Sequence, residues 1–254
     1  MVKDVFTFII GGKAGEGTKK TGMVAAKMFA KSGLHVFLMD DYMSLIRGGH
    51  NFSVVSATNR WIGSHYMNAE LIVNLDERSY DLHEGELAEN GILIYNSDIK
   101  GELNGFGVPI SSKARGYKKA ELMHGLAGVV LLASAIGWSK SQLEGIIRDE
   151  YPGDNKDNLE YAFKLYDHVN EEIGGKFTLP EGDSERPILS GNESIGIGSI
   201  AGGLDAYYGY PMTPASSILH FLAERAKEYG LVVVHPESEL AVINLAIGSA
   251  FTGA

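Results

Sequence analysis

Val5 to Ile10 is an unbroken run of apolar and β-favouring residues that passes directly into Gly11-Gly12-Lys13-Ala14-Gly15-Glu16-Gly17-Thr18. A strand with no polar alternation is buried on both faces, the condition of a parallel sheet with helices packed on it. A helix is expected from about Lys19 to Lys31, with Val24, Ala25 and Met28 inward, stopped by Gly33. A second strand, Val36 to Met39, closes on Asp40-Asp41. This is a βαβ unit for which a right-handed crossover is the rule, and it sets the fold class as α/β. Asp4 stands immediately before the apolar run, which marks a first strand and not a signal peptide.

The same alternation of strands and helices continues. Strands are expected at Phe52 to Ala57, Ala69 to Leu75 and Gly91 to Tyr95, with a short edge strand at Val108 to Ile110. Helices are expected at Ser79 to Ala88, Ala120 to Ile136 (apolar, with small residues, hence core) and Lys140 to Tyr151. Residues 174–187 carry Gly-Gly, Pro-Glu-Gly-Asp-Ser and Arg-Pro, the composition of a linker. The expected organisation is a first domain over 1–173, the linker 174–187, and a second domain over 188–254 that reads as only the start of a fold.

In the second domain, Tyr210-Pro211-Met212-Thr213-Pro214 follows a short strand run at Asp205 to Tyr208. Neither proline can sit inside a helix or a central strand, so this is a rigid turn. Thr213 suits an N-cap and Pro214 the first position of a helix running from Ala215 to Lys227. The plan then repeats: Leu231 to His235 is a strand, Pro236 breaks it, and Glu237 to Ala250 reads as a helix with Leu240, Ile243, Ile247 and Phe251 on one face. Glu237 and Glu239 then fall at the carboxyl end of a strand, where open α/β sheets hold ligands.

Net charge is −10, which disfavours nucleic acid and anionic membrane as partners. No apolar run is long enough to span a bilayer. With no cysteine, this chain cannot ligate an iron–sulfur cluster through thiolates. These features suit a cytoplasmic protein. No metal site of its own is expected.

The Tyr210 motif, the Glu-Ser-Glu-Leu-Ala stretch from Glu237, and Gly191-Asn192-Glu193 at the start of the second domain together resemble the thiamine-pyrimidine-binding domain of 2-oxoacid:ferredoxin oxidoreductases. The glycine loop, Arg47-Gly48-Gly49-His50, and Asn158 to Phe163 resemble the gamma domain of the same family. The resemblance implies a gamma-type three-layer β/α domain fused to the beginning of the alpha domain. It implies that Thr213 contacts the 2-oxoacid and that Glu239 meets N1′ of the aminopyrimidine. Tyr210, Pro211 and Glu237 would line the cofactor, and Arg47 and His50 would face the active site or coenzyme A. The cofactor would be thiamine diphosphate in a half-site. A beta subunit would bring the diphosphate, Mg2+ and iron–sulfur clusters, because Glu181-Gly182-Asp183-Ser184 lacks the second glycine of the Gly-Asp-Gly motif. The reaction implied is oxidative decarboxylation of a 2-oxoacid (2-oxoglutarate preferred, with pyruvate or a broad range open), with coenzyme A as acyl acceptor and ferredoxin as electron acceptor. The chain alone would be inactive.

Two alternatives follow from the residues. Gly12, Gly15 and Gly17, with Asp40 about twenty-five residues on, resemble a dinucleotide site, although the spacing is not G-x-G-x-x-G. The first domain could also serve as a noncatalytic assembly module.

Overall fold

The computed structural model describes residues 4–42, 49–99 and 103–253. Arg47 lies outside them. The chain divides into two compact units, Met1–Ile188 and Leu189–Ala254.

The first unit is built on a six-stranded sheet. β1 (Phe6–Lys13) leads into α1 (Thr18–Lys31) and β2 (His35–Tyr42), followed by β3 (His50–Thr58) and β4 (Ala69–Asn74). After α2 (Glu77–His83) and one 3-10 turn (Glu84–Glu86) come β5 (Leu87–Asn96) and β6 (Phe106–Val108). Four helices complete the unit: α3 (Ile110–Ala114), α4 (Ala120–Ala135), α5 (Lys140–Glu150) and α6 (Lys156–Ile173). Strand order is β2-β3-β1-β4-β5-β6. β1, β4, β5 and β6 pair in parallel, while β3 is antiparallel to both β1 and β2.

β1 and β2 are parallel strands of one sheet joined through α1, as the βαβ expectation has it, but they are not neighbours, because β3 lies between them. Nothing local in β1 or β2 selects the neighbour; the partner is a strand further along the chain. Three smaller boundaries also move. The helix expected over 79–88 begins at Glu77, because the Asp76 side chain accepts from Ser79 N–H at 2.8 Å and caps it, and β5 already starts at Leu87. The edge strand expected at 108–110 is β6, ending before Pro109, which has no N–H to pair.

The larger core lies on one face of the sheet, where Phe8, Ile10, Leu71 and Val73 meet α1, α4 and α6. On the other face Ile9, Val54 and Ile72 pack with Tyr80 of α2. Each fully buried Phe or Ile contributes on the order of 1.5–3 kcal/mol through removal of its surface from water. α4 is buried almost all round, as its sequence demands. Thr21 Oγ1 donates to Gly125 O at 2.6 Å and ties α1 to α4, and Glu150 of α5 accepts from Lys20 and Lys27 of α1.

Residues 174–187 contain no helix or strand, yet they run along the first unit. Gly175 N–H bonds Ser134 O, Phe177 N–H bonds Ala135 O, and Arg186 N–H bonds Ala30 O. Phe177 packs edge-on against Phe6 at 5.3 Å between centroids.

The second unit consists of α7 (Gly191–Ala201), β7 (Ala206–Tyr208), α8 (Ser216–Tyr229), β8 (Val232–Val234) and α9 (Glu239–Thr252). β7 and β8 pair in parallel. Its buried apolar side chains include Leu219, Phe221 and Leu222 of α8.

Candidate functional site

In the first unit, the ends of β1, β4 and β5 share one carboxyl edge, and antiparallel β3 delivers its first residue, His50, to that same edge opposite Lys13. The order of the sheet switches direction beside β1, the place where α/β sheets open a crevice. The glycine loop follows β1. Gly15 and Gly17 have φ of 101° and 84°, conformations that favour glycine. A side chain on Gly12 would sit 2.6 Å from Glu16 Oε2. Glu16 folds back over the loop: its carboxylate accepts from Lys13 N–H at 2.8 Å and lies 3.2 Å from His124 Nδ1. His124 Nε2 reaches Ser111 Oγ, which accepts from Asn96 Nδ2. A carboxylate of the chain itself thus takes a backbone donor that an anionic ligand would use. Asp40, the ribose-binding candidate, accepts from Ser53 Oγ at 2.6 Å.

His50 is only 7 % exposed and stacks on Phe52. Its Nε2 lies 2.9 Å from Nε2 of His83, whose Nδ1 is 2.6 Å from Glu86 Oε2. Burial lowers the His50 pKa below its ordinary 6.5, and the neighbouring His83 adds to this; Asp76 and Asp41 pull the other way.

In the second unit, the loops carrying the two motifs leave the carboxyl ends of adjacent parallel strands. Tyr208 pairs with Val234, and Gly209 N–H continues the ladder to Val234 O. The Tyr210 and His235 rings then meet edge-on, with 6.5 Å between centroids. Tyr210, Pro211, Thr213, Glu237 and Glu239 are all exposed on this edge. The helix after the turn begins later than its sequence suggests. Met212 O accepts from both Ala215 N–H and Ser216 N–H, closing a turn through Thr213 and Pro214 before α8 starts at Ser216. Ala215, not Thr213, is the N-cap, so the Thr213 hydroxyl does not cap α8. The Thr213–Pro214 peptide is cis. Asn192, near the start of α7, donates to Pro214 O at 2.7 Å and Ser217 Oγ at 2.6 Å, pinning the turn. Ser238 caps α9 through Ala241 N–H, which places Glu239 at the first helical position and Glu237 just outside the helix.

The family of pyruvate ferredoxin/flavodoxin oxidoreductases has a model that matches residues 7–167. The chain belongs to this family. A second model, for the thiamine diphosphate-binding domain of these oxidoreductases, matches residues 197–254. The chain is 24 % identical to the alpha subunit of a 2-oxoacid:ferredoxin oxidoreductase from Sulfolobus sp, with 97 % of this chain and 48 % of that protein aligned. It therefore spans about half the length of such curated relatives of the family. The fold is similar to that of 2-oxoglutarate:ferredoxin oxidoreductase from Magnetococcus marinus, solved with 2-oxoglutarate, coenzyme A and succinyl-CoA bound (TM-score 0.84, 20 % identity, 99 % of this chain and 46 % of that one). It is also similar to the gamma subunit of a keto/oxoacid ferredoxin oxidoreductase from Geobacter sulfurreducens (TM-score 0.53, 19 % identity, 67 % of this chain and 97 % of that one). The mixed α/β architecture expected of a gamma-type domain followed by the beginning of an alpha domain is the fold of this family.

The candidates thus fall in two groups: Gly12, Gly15, Gly17 and His50 at the sheet edge of the first unit, and Tyr210, Pro211, Thr213, Glu237 and Glu239 at the strand ends of the second. Sequence reasoning missed His83, Glu86, Glu16, His124 and the pinning role of Asn192. His83 lies three residues after Tyr80 on α2, so its inward direction could be read from helical spacing. Its partner His50 could not, being 33 residues away across the sheet. Among the described residues, no group of three or more His, Asp or Glu side chains could hold a metal ion, and no helix is long and apolar enough to cross a membrane.

Proposed function

We infer that this chain supplies the gamma-type unit and the pyrimidine-binding half-site of a thiamine diphosphate-dependent 2-oxoacid:ferredoxin oxidoreductase. The observation that carries the reading is the placement of Thr213 and Glu239 on exposed loops at the carboxyl ends of two paired parallel strands, inside the segment matched by the thiamine diphosphate-binding model. The residues fit such a group. Glu239 is an exposed acceptor at a helix N-terminus, suited to hold or pass a proton at a ring nitrogen. Thr213 keeps its hydroxyl off the helix cap and free to donate to a carboxylate or keto oxygen. Asn192 holds the intervening turn in place, and Tyr210, Pro211 and Glu237 wall the same edge. When bound, the thiazolium supplies the electron sink for decarboxylation.

This chain supplies only half of such a site. With no cysteine, it offers no thiolate for an iron–sulfur cluster. We assign Mg2+, the diphosphate and the clusters to a beta subunit, with coenzyme A as acyl acceptor and ferredoxin as electron acceptor. The substrate assigned first is 2-oxoglutarate. Leu240, Ile243, Ile247 and Phe251 line one face of α9 and are 55–91 % exposed, an apolar stripe suited to packing against other polypeptide. For the first unit, the Glu16 carboxylate lying on the glycine loop favours a bracing role for that loop.

The test uses the chain assembled with its beta partner, following 2-oxoacid-dependent reduction of a low-potential dye with 2-oxoglutarate, pyruvate and a branched 2-oxoacid. Glu239→Gln is expected to lower turnover by about 10²–10⁴-fold, the span of general acid–base contributions. Full activity in that variant would move the role to Glu237 or discard the alignment of the motif. The chain without its partner is expected to give no turnover.

A further inference from the structure

His50 and His83 are both buried and meet through like atoms, Nε2 to Nε2 at 2.9 Å. Such a bond forms only when one nitrogen carries a proton and the other is bare. Glu86 fixes its direction. An ionised carboxylate can only accept, so His83 Nδ1, 2.6 Å from Glu86 Oε2, carries the proton of that ring. Its Nε2 is then bare and accepts from His50.

The pair keeps this bond with one added proton but not with two. One proton leaves His83 charged, donating to Glu86 from Nδ1 and to His50 from Nε2, and the carboxylate balances the charge. A second proton leaves no bare nitrogen between the rings and sets two like charges together in a buried place. Once apart and in water, both rings can charge. The separated rings therefore hold one proton more than the joined pair, so acid favours separation. Burial, and after it the neighbouring His83, hold the His50 pKa below 6.5 and act in the same direction. The other charged groups facing His50 are Asp76 and Arg78 at the start of α2 and Asp41 of β2; the aspartates oppose the shift and Arg78 adds to it. Lys13, opposite His50 on β1, is exposed.

The bond joins two elements at the carboxyl edge of the sheet, since His50 opens β3 and His83 ends α2. Phe52 packs on both imidazoles, 5.4 Å from His50 and 4.6 Å from His83 between centroids. The residue before His50 also holds the glycine loop: Gly49 O accepts from Ala14 N–H at 3.1 Å.

We propose that the His50–His83 pair is a pH-sensitive latch between the start of β3 and the end of α2, closed at neutral pH and opened by acid, and that its opening loosens the glycine loop through Gly49. The stabilisation it gives is complete above pH 6.5 and is lost as pH falls below that value, where a freed His50 takes up its proton. The latch goes beyond the half-site of the second unit and does not depend on it.

The test is native-state hydrogen exchange of the full chain, read as opening constants for the amides of Ala14, Asn51 and Phe52. With a difference of one proton, these constants should rise about tenfold between about pH 6.5 and about pH 5.5. His50→Gln should abolish the rise, because its amide can donate to a bare His83 Nε2 and accept from a charged one. Glu86→Gln leaves both rings in place but removes the carboxylate that balances the first proton, so the rise should exceed tenfold. Constants that stay level in the wild-type chain, at Ala14 or in β3, would overturn the latch. So would an equal rise in His50→Gln or a smaller one in Glu86→Gln. No turnover is measured, so failure here is separate from failure of the oxidoreductase reading.

Discussion

Gly125 shows what close packing demands of one residue. It lies in α4 where the helix crosses the glycine loop, and a Cβ there would meet Glu16 O at 2.9 Å and Gly17 O at 3.0 Å. Both are backbone atoms, which cannot swing aside as the end of a side chain can. Gly125→Ala is therefore expected to destabilise the chain by about 1–3 kcal/mol, the usual cost of overpacking. Gly145 is the contrast, since nothing lies within 4 Å of its would-be Cβ in α5. There alanine restricts the unfolded chain without a clash and should stabilise by about 0.5–1 kcal/mol. Urea denaturation of the two variants checks both signs. At this scale legibility depended on sequence distance. Thr213 and Glu239 each sit in a short motif whose prolines and strand–helix rhythm can be read locally. His83 and Glu86 acquire meaning only from His50, and Glu16 only from His124, contacts that local spacing does not encode.

Helices were more legible than the order of strands. α4 was readable as a core helix because it is apolar all round with small residues, and it is buried that way. The alternating run that became β3 was readable as a strand, but its place between β1 and β2 was not, because alternation names the faces of a strand and not its neighbours. The late start of α8 had a different origin. Thr213-Pro214 carries the residue types of a helix start, but Met212 O captures the next two N–H groups in a turn. Caps that do form carry measurable weight. Ser190 and Glu193 form a reciprocal capping box at α7, and the Ser190 backbone N–H and then its hydroxyl hold the Glu193 carboxyl below its ordinary range. Ser190→Ala should cost about 1 kcal/mol of stability by thermal or urea unfolding, as loss of an N-cap does. An unchanged midpoint would mean that α7 is held by packing alone.

For the whole chain, the segment expected as a linker behaves as part of the first unit. Phe177 and Leu179 pack on its core, and Arg186 reaches Gly33 O. A first unit ended at Ile173 is therefore expected to be less stable than one ended at Ile188, and amide hydrogen exchange in α1 and α4 should be faster in the shorter form. Equal protection in both would return 174–187 to the status of a tether. The break after residue 173 was read from glycine and proline content, which marks where helices cannot run but does not say whether the chain still packs.

The antiparallel course of β3 carries a further consequence. Every parallel strand of the sheet hands over its last residue at the carboxyl edge, while β3 hands over its first. Side chains alternate along it, so His50, Phe52 and Val54 share one face. Sliding β3 by two positions against β1 would leave every side chain on its own face and put Phe52 where His50 stands, but it would also put Ser56 where Val54 packs and take Ser53 from Asp40. The bond from His50 to His83 would be lost in the same step. The histidine pair is thus one of the molecule's reading-frame marks, a polar contact that tells the native placing of this strand from the next.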